Sequence, residues 1–362
     1  MITTPQLLQD ALDRLGMRRH EPLPGPLATL NADAIRIGPM DCPFPVETPH
    51  LIRPDLVKVP SHEPLIVIDP RPADWRNTMA QKIGRLTSAK SFVYSKDFNT
   101  ADLRFWADQV ATALSVQAPS GPVNAFGALP WIGSERPANP IDFFIGLTLS
   151  LQEDFVLMAP QGALPSSPGE QSQANPSDCA RPLCARLLSV CFPSGWNPEE
   201  KCDQSLFAIH QPVADNDRIQ KAADALSAAM SQKGPFVRYV YTLAPNGLLW
   251  RDPAPDPDPN LSPSTTAWQA VQGLGDIWFR VERQVTIPLA GMGSLFLIRL
   301  FLLPLETVLH TPERCHALAD ALETMSPALL SYKGLDRIAP KIIPALRARA
   351  ASDRPPLPHS QP

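Results

Sequence analysis

Leu103, Trp106, Val110 and Leu114 recur at intervals of three and four, the spacing that gathers apolar side chains on one face of a helix. With Thr100 and Asp102 as start signals, the pattern predicts a helix over 100–117. The same spacing runs through 72–86, and 215–232 reads as an amphipathic helix opened by Asp215. Residues 141–158 (IDFFIGLTLSLQEDFVLM) are too apolar for periodicity to separate helix from strand, although Pro140 favours a helix start. The second half changes period. FVRYVYTL (236–243) followed by APNG predicts a strand turning at Asn246-Gly247, a pair suited to the positive φ of a tight hairpin into LLWRD. IWFRVERQVTI (277–287) and SLFLIRLFLLPL (294–305) have strand composition, and helical patterns follow over 312–325 and 336–349. Helices, then a meander of strands, then helices define an α+β fold with a mainly antiparallel sheet.

Proline marks the seams. It supplies 43 of 362 residues, against a usual share of about 5%, and concentrates at 21–72, 159–182, 252–264 and 351–362. Such segments run extended and build no packed core. They divide the chain into a proline-rich arm with a short helix (1–64), a domain at 65–350 with flexible insertions near 159–182 and 252–264, and a disordered tail (351–362). A hydrophobic content of 44% and a charged content of 19% are those of a globular protein with a substantial core. A net charge of −4 without any Lys/Arg block argues against a nucleic-acid surface. The longest apolar run, 289–305, is interrupted by Arg299 and falls short of the roughly 18 residues of a membrane span. The N-terminus lacks the basic and apolar regions of a signal peptide, so the expected location is cytoplasmic. Six cysteines without a CxxC pair match no zinc or iron–sulfur spacing and read as free thiols. No GxGxxG or P-loop pattern offers a nucleotide-phosphate site.

Candidate chemistry gathers in CFPSGWNPEEKCDQSLFAIHQPV (191–213). His210 ends the apolar tetrad Leu206, Phe207, Ala208, Ile209, a setting in which an imidazole can meet a flat apolar cofactor such as haem. A core histidine with a satisfied ring is the competing reading. Ser194 lacks the second glycine of a nucleophile elbow. Glu153 and Asp154, inside an apolar run, are either solvent-facing tip or helix-end residues, or one of them is a carboxylate near the interior that keeps its charge by pairing with a cation such as Arg283. The strand period sets Arg280, Glu282 and Gln284 on one face and Val281, Arg283 and Val285 on the other. The arginines suit carboxylates, with cross-strand ion pairing as the alternative use. His310 and His316 flank a helix start, His50, His62 and His359 lie in proline-rich or terminal segments, and no HExxH spacing occurs.

QEDFVLM (152–158), FPSGWNPEEK and IHQPV within 192–213, WFRVERQ (278–284) and YKG (332–334) occur in an order and at separations that resemble the haem-dependent oxidative N-demethylase alpha-subunit-like family. DPRPADWRNTMAQKIGRL (69–86) is similar to its N-terminal block, so the resemblance covers about residues 65–345. It implies a PAS-like antiparallel sheet with flanking helices around haem b. The implied activity is that of a monooxygenase that oxidises an N-methyl group of a small secondary or tertiary amine and releases formaldehyde. Electrons would come from NADPH through flavin and iron–sulfur partner subunits, carriers for which this chain has no motif. On this resemblance His210 is the candidate axial ligand of the iron, and Arg280 and Arg283 are candidates for the haem propionates. Glu282 either orients an arginine or receives the cationic amine. Trp196 or Trp278 offers an aromatic wall for an alkylammonium, a contact worth about 1–2 kcal/mol when desolvated, with core packing as the competing role. Where relatives carry an Arg-x-Asn-Trp block, this chain has LLWRDPAPDPDPN, which bears on substrate choice. A haem-binding sensor without turnover and a haem-free PAS-like interaction protein are the rival expectations.

Overall fold

The computed structural model describes residues 42–61, 63–67, 72–88, 91–117, 139–161, 182–250, 268–290 and 292–352. The expected N-terminal helix, nearly all of both insertions and the tail lie outside the described residues. Seven strands form one sheet: β1 (Val57–Lys58), β2 (Phe92–Tyr94), β3 (Asp154–Pro160), β4 (Leu183–Ser189), β5 (Phe236–Ala244), β6 (Trp278–Leu289) and β7 (Gly293–Pro304). Their order is β1-β5-β6-β7-β3-β4-β2, and every neighbouring pair is antiparallel. The helices are α1 (Pro72–Ser88), α2 (Thr100–Gln117), α3 (Pro140–Ser150), α4 (Pro198–Lys201), α5 (Leu206–His210), α6 (Asp217–Gln232), α7 (Leu305–Val308), α8 (Pro312–Thr324), α9 (Pro327–Tyr332) and α10 (Ala339–Ser352). The α+β expectation holds.

The ambiguous run at 141–158 contains both kinds of element. Asn139 Oδ1 accepts from Ile141 N at 3.1 Å and Pro140 occupies the first turn, so α3 starts where its backbone donors find a cap. Every residue of α3 is buried, which explains the missing polar face. The helix ends at Ser150, and β3 begins at Asp154.

One expected turn is absent. Neither Asn246 nor Gly247 has positive φ, and after β5 ends at Ala244 the described residues 245–250 form no strand. Gly247 serves close approach instead: a Cβ there would lie 2.7 Å from the Trp278 ring. Strand β5 pairs with β6, from Phe236 opposite Thr286 to Ala244 opposite Trp278.

Alternation along β5, β6 and β7 gives the sheet two unlike faces. On one, Val285, Ile287, Leu295 and Leu297 join a cluster with Trp106, Phe143 and Phe144, the side chains of α2 and α3. Further along the same face, Phe279, Val281 and Phe301 pack with Leu305, Leu318 and Leu346 of α7, α8 and α10. On the other face, Phe296, Val156 and Met158 meet Leu206 and Ile209 of α5 and Met230 of α6.

Glu153 and Asp154 are both buried, and their expected pairing with Arg283 is not what holds them. Glu153 Oε1 accepts from Val67 N at 2.7 Å, and Lys82 Nζ lies 3.3 Å from Asp154 Oδ1. Asp154 Oδ2 also accepts from Phe192 N at 2.7 Å.

Candidate functional site

The face of the sheet beneath α5 is only partly covered. Arg238, Val240 and Thr242 of β5, Glu282 and Gln284 of β6 and Phe296 and Ile298 of β7 project from it half-buried. Alternation puts a charged and a polar group on each of two neighbouring strands here, among apolar side chains that the helices leave partly open. This patch is the candidate site.

His210 stands at its border, at the end of α5. Ser205 caps this short helix by accepting from Ala208 N at 3.2 Å. Asn216 Nδ2 donates to His210 O at 2.6 Å, and Gln220 Nε2 donates to Phe207 O at 3.2 Å, so α6 fixes the helix in place. The imidazole Nδ1 lies 2.8 Å from Leu206 O. Since a carbonyl only accepts, Nδ1 carries the proton and Nε2 holds the lone pair. Nε2 has no hydrogen-bond partner among the described residues. Burial lowers the His210 pKa, the Leu206 carbonyl opposes that, and Arg238 and Lys201 lower it further. The ring is thus a neutral imidazole with a free, oriented nitrogen, which is the form that ligates a metal.

Arg280 and Arg283 have other partners. Arg280 donates to Leu249 O at 2.6 Å and Phe192 O at 2.9 Å, tying the segment after β5 to the Pro-Ser-Gly-Trp loop. Arg283, on the opposite face, donates to Leu65 O at 2.9 Å and Pro64 O at 2.6 Å. These guanidinium groups hold backbone together. Glu282 lies on the candidate face, accepting from Gln284 Nε2 at 3.0 Å, with Arg280 Nε 3.9 Å away. Trp196 follows Gly195, whose φ of +83° turns the loop, and packs beside Leu206 and Ile209. Trp278 lies at the far end of the face against Gly247. His310 and His316 belong to the α8 side of the sheet, with Nδ1 atoms 3.5 Å from Arg314 and 3.2 Å from Arg347.

Two cations at the site were not singled out from the sequence. Lys333 Nζ donates to Tyr241 O at 2.9 Å. Burial depresses its pKa to about 8, against the pull of Glu282, and Arg238 depresses it further. Arg238 makes no hydrogen bond or ion pair among the described residues, and its Nε is shielded from water. Burial lowers its pKa while Asp55 and Glu282 oppose that. Alternation in FVRYVYTL already put Arg238, Val240 and Thr242 on one face. The sequence holds no sign of which face would stay open.

The fold and site define an α+β protein whose open antiparallel sheet carries a neutral histidine beside a half-covered, charged face. The family described as haem-dependent oxidative N-demethylase, alpha subunit-like, matches residues 131–343, 213 of the 362, and the chain belongs to that family. No curated protein matches it. Among the described residues no helix is long and apolar enough to cross a membrane, and no group of three or more His, Cys, Asp or Glu side chains is gathered to hold a metal ion.

Proposed function

We propose that the chain is the haem-carrying subunit of an oxidative N-demethylase, acting on an N-methyl group of a small amine in the cytoplasm. The observation that carries this reading is His210, neutral, anchored through Nδ1 and open at Nε2 beside a half-covered apolar face. One protein imidazole suffices for haem, whose porphyrin supplies the other ligands. The donor set therefore fits the group that the family's description names.

Bound haem would supply the oxidising iron, with NADPH electrons delivered by flavin and iron–sulfur partner subunits. The chain's own residues do the rest. Leu206 O holds His210 in one tautomer, and Asn216 fixes the end of its helix. Glu282, half-buried and oriented by Gln284, receives the substrate ammonium, its charge attractive in a partly dry site. Trp196 or Trp278 supplies the aromatic wall for the methyl groups.

The test is an absorption spectrum of protein made with a haem precursor. A Soret band that shifts on reduction and on adding carbon monoxide, followed by formaldehyde release from methylamines, is the expected result. His210→Ala should alter the Soret position while leaving the melting midpoint within a few degrees. Haem binding without formaldehyde would favour a sensor, and no band even after adding haem would overturn the reading.

A further inference from the structure

We propose that Arg238 is the carboxylate anchor of this site, holding an acid group of the bound ligand against strand β5. The inference rests on the haem reading, and it names a residue that the expected arginines leave room for.

Three observations carry it. Arg238 projects from the candidate face, opposite Gln284 in the β5–β6 register. Its Nε is shielded from water without a partner, and no other atom of its guanidinium hydrogen-bonds to a described residue. The two carboxylates that influence it are already engaged, Asp55 with Arg53 Nε at 2.6 Å and Glu282 with Gln284 at 3.0 Å. A guanidinium partly shielded from water, with the carboxylates near it engaged elsewhere, is only partly compensated. Arg280 and Arg283 each donate to two backbone carbonyls, whereas Arg238 donates to no described residue, and this separates a structural arginine from one awaiting a ligand.

Charge and shape indicate what the ligand is. Glu282 is shared by Arg238, Lys333 and Arg280, so its charge leaves room for a second carboxylate at Arg238. Lys333 already donates to Tyr241 O, whereas the fork of Arg238 is free to take a planar carboxylate through two parallel hydrogen bonds. That carboxylate belongs either to a haem propionate or to an amine substrate that bears an acid.

The experiment titrates haem-free wild type, Arg238→Gln and Arg238→Lys with haem and with its dimethyl ester, following the Soret band. With a propionate as the source, Arg238→Gln weakens haem binding roughly tenfold or more, Arg238→Lys recovers part of it, and the ester binds all three alike. With the substrate acid as the source, haem affinity stays level. N-methylglycine then perturbs the Soret band of loaded wild type but not of Arg238→Gln, while dimethylamine acts on both equally. If haem, ester and N-methylglycine all bind wild type and Arg238→Gln alike, the anchor is wrong and the haem reading stands. If wild type binds no haem, the haem reading falls, and the anchor is judged by succinate. An Arg238-dependent rise in melting midpoint would retain it, and equal midpoints would overturn it. Circular dichroism checks that each variant is folded.

Discussion

The hydroxyl of Tyr241 lies 3.1 Å from Nδ1 of His50, whose pKa is held at about 4 against a usual 6.5, first by burial and then by Lys333. A pKa lower in the folded state than in the unfolded chain means that unfolding takes up a proton. This contribution to stability is therefore full above pH 6.5 and is lost as pH falls towards about 4. Melting midpoints of wild type and His50→Phe across that window test it: the wild-type curve should fall more steeply, and parallel curves would refute the linkage. Arg280 is a second case. Arg280→Met leaves the carbonyls of Leu249 and Phe192 without their donor, at about 1–3 kcal/mol for each group that stays buried. Urea unfolding should show the loss, while Arg238→Gln, with no partner to abandon among the described residues, should cost far less. These roles were only half legible in the sequence. That arginines on a strand have special work could be read from their alternation. That the work of two is to hold carbonyls of Phe192, Leu249, Pro64 and Leu65 could not, because backbone acceptors carry no residue signature. The Arg238 position was visible in the pattern, but its missing partner is a property of the folded face.

At the scale of elements, patterns with one dominant cause read true. The helix over 100–117 occurs as expected, because its apolar stripe faces the core at Trp106, Val110 and Leu114. Strand β6 follows its β-branched and aromatic content, and β7 its continuous apolar run. Asn246-Gly247 misled because glycine answers two different needs, positive φ and close approach, and here only the second applies. Gly293 at the start of β7 meets the same need: a Cβ would come 2.5 Å from the fully buried Trp106 ring. Both the strand and the indole sit in the packed core, so neither can yield freely. Gly293→Ala should destabilise by about 1–3 kcal/mol in denaturant unfolding. Full stability would mean that α2 sits more loosely on the sheet than this contact implies.

At the scale of the whole molecule, the proline-rich stretch before residue 65 is more than a leader to the domain. Val57 and Lys58 pair with Val237 and Phe236 at the edge of β5, and Val59 N donates to Pro235 O at 3.0 Å. Phe44 stacks on Phe279 with ring centroids 5.5 Å apart, His50 meets Tyr241, and Cys42, Val46 and Ile52 lie on the α8 cluster. Leu56 packs on the other side, with the α5 cluster. The segment thus wraps the edge of β5, the strand that carries Arg238, and touches both layers. X-Pro steps run extended, which suits a strap of this kind while giving no periodicity by which packing could be foreseen. Strand β1 is two residues long and ends in a lysine, a form that discourages further pairing at a sheet edge. A chain beginning at Pro60 would lose these contacts and expose the β5 edge. It should be less stable by about 4 kcal/mol, the apolar area of a few half-buried side chains, and should associate more than wild type in light scattering. If the shortened chain melts like the whole one and associates no more than it does, the strap is ornament, and β5 must owe its position to β6 alone.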